Sequence, residues 1–171
     1  IAAFDSDVHT RDDVVVALAA DGRELARHSI YALLAGGPFP FAFGDVRAHL
    51  EVTQDERRER GGVARADGDV VDLLHTNSID RMDQAALEGA SPLHRADSLL
   101  LTSRHQDAIA VVSTQAGELR WAWGRGELSG PHDASWLANG RVLVFDNGLG
   151  RNWSRVLEVD PRTNAIVWEW R

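Results

Sequence analysis

The chain has 171 residues, 44% hydrophobic and 26% charged, which is enough to bury a core and lies outside the composition of disordered chains. A formal net charge of -8 argues against a nucleic-acid partner, and no apolar run reaches the ~18 residues of a membrane helix. With no cysteine, disulfides, thiolate metal sites and cysteine nucleophiles are excluded.

The opening IAAFDSDVHT has no signal-peptide pattern and lacks a methionine at position 1, which suggests an excised segment. Asp13 to His28 carries a β-branched run, then Ala-Asp-Gly, then a second short run, and so predicts a hairpin. Ser29 is placed to N-cap a short helix through Leu34, which Gly36-Gly37-Pro38 would end. Phe39 to Phe43 is too short to show a period. Asp45 to Ala66 includes QDERRERGG and reads as a solvated loop or frayed helix without chemistry.

From Val70 onward short strands follow one another: Val71 to Ile79, Ser98 to Ser103, Ala108 to Ser113 and Glu118 to Trp123, with an insertion at Arg81 to Ala96. A second set comprises Ala134 to Leu137, Val142 to Phe145, Val156 to Asp160 and Ala165 to Trp170. Asn139-Gly140 and Pro161 to Asn164 supply its turns.

The two sets echo each other. Ile109 to Trp123 superimposes without a gap on Val156 to Trp170, 47 residues later, so that Trp121 falls on Trp168 and Trp123 on Trp170. Aligned by its turn, Gly22 of the first hairpin matches Gly117 and Asn164. Four antiparallel strands per roughly 40 to 60 residues describe a β-propeller blade. The predicted fold is therefore all-β, an arc of about two and a half four-stranded blades belonging to a larger propeller. Residues 1–44 would hold the outer hairpin of an earlier blade with a helix and loop, 45–70 a charged linker, and 71–124 and 131–171 one blade each. The repeated tryptophans are placed to fill the wedge between blades, with aryl binding as the rival use, while Trp136 and Trp153 fall outside the repeat and are better placed for a ligand.

The innermost strand of a blade lines the central channel, where His75, Asn77 and His132 would meet. In this reading His75-Thr76-Asn77-Ser78 matches His132-Asp133-Ala134-Ser135, and Arg104 aligns with Asn147 where the second strand of each set runs out, beside His105 and Gln106. Arg offers a fork suited to a tetrahedral oxyanion, Asn adds a neutral donor, and imidazole serves as nucleophile, base or acid. A metal centre is the rival use of the histidines, but no HxH or HExxH spacing appears and Arg104 would repel a cation. Asp146-Asn147-Gly148 lacks the alternating carboxylates of a calcium loop and reads as a turn. Ser103, His105 and Asp107 form a weak hydrolase alternative without a GxSxG elbow.

Five ordered stretches carry a family resemblance: His75-Thr76-Asn77-Ser78-Ile79, Leu101 to Gln106, Pro131-His132-Asp133-Ala134, Phe145-Asp146-Asn147-Gly148 and Ser154-Arg155-Val156. Over roughly Asp72 to Arg171 the chain resembles the bacterial arylsulfotransferases, six-bladed propellers that move a sulfuryl group from an aryl sulfate to a phenol. The resemblance implies a sulfohistidine on His132, with His75, Asn77 and Arg104 holding the sulfuryl group; His105 and Asn147 are the adjoining candidates for substrate contact. It implies no cofactor, the remaining propeller blades of the parent chain as partners, and a periplasmic or extracellular location. The chain departs from the family at Pro131, where members often carry Gln, in the insertion Arg81 to Ala96, and in having no earlier histidine (His9, His28 or His49) that aligns with a further family histidine. The alternative function is a non-catalytic propeller serving as a binding or interaction scaffold.

Overall fold

A computed structural model describes residues 8–43 and 69–171. The stretch Asp45 to Ala66, residues 45–68 of the expected linker, and His49 lie outside the described residues. The described chain is all-β, organised around two four-stranded antiparallel sheets. No helix among the described residues is long and apolar enough to cross a membrane.

Strand β1 (Val8–Arg11) pairs in parallel with β4 (Asp69–Asp72), so Asp69 and Val70, expected within the linker, lie in a strand. Between them, β2 (Val14–Leu18) and β3 (Glu24–Ser29) form the predicted hairpin. Helix α1 (Ile30–Ala35) starts where Ser29 Oγ accepts the Ala32 N–H at 2.9 Å. Its Ile30, Leu33 and Leu34 recur at helical spacing and are buried.

The first sheet runs β5 (Thr76–Arg81), β6 (Ser98–Ser103), β7 (Ala108–Ser113), β8 (Glu118–Trp123) in spatial order. The second runs β9 (Pro131–Trp136), β10 (Val142–Asp146), β11 (Arg155–Asp160), β12 (Ala165–Trp170). The outer strands repeat even in their irregularity. The ladder slips between Val111 and Val112 in one sheet and between Glu158 and Val159 in the other, at matching positions.

The structure corrects two expectations. Val71 to Ile79 is not one strand: β4 ends at Asp72 and His75 adopts φ 46° before β5 begins. The Asp72 carboxylate accepts the His75 N–H at 2.7 Å, a local bond that competes with strand pairing. The second correction concerns the histidines. Thr76 and Pro131 open their strands opposite Ser103 and Asp146, the last residues of β6 and β10. Asn77 therefore matches His132, while His75 matches Gly130, which shares its left-handed backbone at φ 63°. Asp133, also left-handed at φ 51°, adds a bulge that no sequence pattern announces.

Alternation along the first sheet feeds two cores. Leu100, Ile109, Val111 and Trp123 face the second sheet, where Val142, Val144, Leu157 and Val159 meet them. Leu101, Ala110 and Val112 face α1, together with Val71, Leu73 and Leu74. The insertion between β5 and β6 also clamps the sheets: Met82 and Leu93 enter the first of these cores, and buried His94 places Nε2 3.0 Å from the Gly140 carbonyl. Trp121 spans the sheets too, donating Nε1–H to Asn164 Oδ1 at 2.8 Å. The equivalent face of the second sheet is open: Trp123 is 9% exposed, whereas its counterpart Trp170 is 64% exposed.

Candidate functional site

The end of the sheets where β5 and β9 begin, and where β6 and β10 finish, carries two polar groups. The first is built on Asp72. Its Oδ1 accepts the His75 N–H, its Oδ2 lies 3.1 Å from His75 Nδ1, and its main-chain carbonyl lies 2.5 Å from His105 Nδ1. The His75 and His105 rings are 4.6 Å apart, and Arg104 Nη1 donates to His105 Nε2 at 3.1 Å. Burial pushes His105 below the ordinary imidazole pKa, leaving a neutral ring that can accept from the guanidinium. Burial raises the Asp72 carboxyl, but the His75 side-chain and backbone bonds and the Arg11 charge outweigh it and hold the pKa at about 2. Arg11 Nη2 approaches Asp72 Oδ2 at 3.4 Å.

The second group surrounds His132. Its Nδ1 lies 3.1 Å from the Gly130 carbonyl and 2.6 Å from Asn147 Nδ2, and the same amide donates to the Gly130 carbonyl. Gly130 is held in turn by its own N–H, which donates to Asp107 Oδ1 at 2.7 Å. From the first sheet Asn77 also reaches across: its Nδ2 donates to the Pro131 carbonyl at 2.9 Å, directly ahead of His132.

The structure thus gathers His75, Arg104 and His105 on one anchor, sets His132 and Asn147 beside each other, and places Asn77 between the sheets. Asn147, expected as a substrate contact, lies against the nucleophile candidate. A cleft of about 330 Å³ adjoins Asn77, lined by Asp13, Val14, Ile30 and Thr76 to Ile79. The buried Asn77 Oδ1 and Thr76 Oγ1 have no hydrogen-bond partner among the described residues.

The chain matches no protein-family model and no curated protein sequence.

Rival chemistries fare less well on this geometry. Asp72, His75 and His105 could offer three ligand atoms within 4.8 Å of one another. A cation there would face the Arg104 guanidinium on one ligand and Arg11 on another. The hydrolase alternative dissolves: Ser103 Oγ donates to the Leu74 carbonyl, His105 turns to Asp72 and Asp107 caps Gly130. Asp146 is no calcium ligand, because Arg151 and Arg155 bind its fully buried carboxylate at 2.5 and 2.8 Å. Trp136 is buried in the core, and Trp153 lies under the guanidiniums of Arg151, Arg155 and Arg171.

Sequence reasoning missed Asp72 and Arg11. The Asp-x-x-His spacing from Asp72 to His75 was a visible signal, but the parallel β1–β4 pairing that brings Arg11 to Asp72 was not.

Proposed function

We propose that the chain is an arc of a β-propeller that transfers a sulfuryl group from an aryl sulfate to a phenolic acceptor through His132. The observation carrying this reading is the Asn77–Pro131 bond, which sets two polar groups at one end of adjacent sheets: a guanidinium with two imidazoles, and a third imidazole at a bulge. The open face bearing Trp168 and Trp170 supports the arc, since the same face of the preceding sheet is covered by a sheet.

In this mechanism the His132 Nε2 lone pair attacks sulfur in line, the S–N bond forms, and the S–O bond to the aryl group breaks with its electron pair on the phenolate. Arg104 balances charge on the sulfuryl oxygens and the departing oxygen. The acceptor hydroxyl then gives its proton to a base at the site and attacks sulfur, and the S–N pair returns to His132. The cleft beside Asn77, with Val14, Ile30 and Ile79 on its walls, is suited to the aryl body of a substrate.

One observation favours the second reading, a non-catalytic scaffold. Asn147 Nδ2 faces His132 Nδ1, which makes Nδ1 an acceptor and puts the ring proton on Nε2. Attack through Nε2 needs that proton on Nδ1, where the Gly130 carbonyl, 3.1 Å away, would receive it. Incubation with para-nitrophenyl sulfate decides between them: a sulfuryl adduct mapped to His132 by mass spectrometry, with nitrophenol release, is expected for transfer. A folded protein showing neither is a scaffold.

A further inference from the structure

We propose that Asp72 is a positioning residue that sets the ring tautomer of both His75 and His105, holding the proton of each neutral ring on Nδ1. An ionised carboxylate and a main-chain carbonyl can only accept hydrogen bonds. Asp72 Oδ2 faces His75 Nδ1 at 3.1 Å, and the Asp72 carbonyl faces His105 Nδ1 at 2.5 Å. Both δ-nitrogens must therefore carry the proton when the rings are neutral. A second contact gives the same answer for His105: its Nε2 takes a hydrogen from Arg104 Nη1, which requires a lone pair there.

One residue thus controls two imidazoles through different atoms, and through His105 it also aims Arg104. Its own placement is rigid. Asp72 is 8% exposed, ends β4 in parallel pairing with β1, and has its second oxygen fixed by the His75 N–H at 2.7 Å. The left-handed backbone of His75 folds the ring back over this carboxylate. Resting on the sulfuryl-transfer reading, the arrangement makes His75 Nε2 the base that removes the acceptor hydroxyl proton. It leaves His105 a support for Arg104 rather than a substrate contact.

The test is direct observation of the tautomers in histidine-labelled protein by two-bond hydrogen–nitrogen NMR at slightly alkaline pH. In the wild type, His75 and His105 both appear with the proton on Nδ1. In Asp72→Asn the His75 N–H still needs an acceptor, so the amide oxygen stays there and the amide NH₂ turns to His75 Nδ1. His75 then shifts to the Nε2–H form, while His105, held by the unchanged carbonyl, does not. Either ring carrying its proton on Nε2 in the wild type overturns the proposal, whether or not the variant folds. So does an Asp72→Asn spectrum in which His75 stays put or both rings shift together. The same samples treated with para-nitrophenyl sulfate separate the two ideas: tautomers as stated without a His132 adduct would sink sulfuryl transfer and leave the role of Asp72 intact.

Discussion

Asn77 occupies in the first sheet the place that His132 occupies in the second, and its side-chain amide donates to the carbonyl of Pro131, the residue next to that histidine. Asn77→Ala leaves the Pro131 carbonyl without this donor and should cost about 1–2 kcal/mol in urea unfolding. The urea dependence should be unchanged, because the loss is local. Asn77→Asp sets a carboxylate against a carbonyl and should cost more than the alanine.

The tryptophans at equivalent positions provide an internal control. Trp123→Ala empties a site between the sheets and should cost about 3–5 kcal/mol. Trp170→Ala, on the open face of the same chain, should fall within about 0.5 kcal/mol of wild type. Equal losses in thermal unfolding would mean that the Trp170 face is covered in solution.

Gly140 tests the clamp. An added Cβ would sit 2.8 Å from His94 Nε2, on a backbone at φ 80°. At Gly22, φ 83°, nothing lies within 4 Å of a Cβ. Gly22→Ala should cost about 1 kcal/mol of backbone strain alone, and Gly140→Ala clearly more. His94→Ala should relieve the difference between the two glycine variants, a coupling that a double-mutant cycle reads directly.

Stability should fall on acidification in two steps. His105 has a folded pKa below its ordinary value of 6.5, so its contribution is intact above that pH and is lost as pH falls below it. Asp72 contributes above the ordinary 3.8 and loses that contribution as pH drops toward about 2. His105→Gln should flatten the first step of the unfolding midpoint against pH, and Asp72→Asn the second.

Asn147→Ala discriminates a positioning amide from a substrate contact. Without the amide, His132 Nδ1–H can donate to the Gly130 carbonyl and Nε2 gains its lone pair. Adduct formation on His132 with para-nitrophenyl sulfate should persist or accelerate. Weakened saturation by the sulfate at unchanged maximal rate would instead show that Asn147 binds substrate.

The outer strands were legible in sequence because they repeat in residue type, length and spacing, and β7 and β11 are packed on both faces. Ala108–Ser113 and Arg155–Asp160, like Glu118–Trp123 and Ala165–Trp170, keep both length and slip. The inner strands were misaligned because His75 was matched to His132 by residue type. In space the shared property is backbone: a left-handed residue directly ahead of each strand, histidine once and glycine once. The burial of His94 went unread because its partner Gly140 is 46 residues away, and Asp72 because its neighbours come from β1 and from the turn after β6.

The backbone at the start of each inner strand is tethered by a distant aspartate: Asp13 takes the Thr76 N–H across 63 residues, and Asp107 takes the Gly130 N–H across 23. Both tethers join parts that belong to different strand pairs, so they close only when those parts have docked. The chemistry-bearing end of the molecule should therefore depend on that docking to reach its native geometry. A partly folded chain would show native β-structure while its histidines were still unplaced.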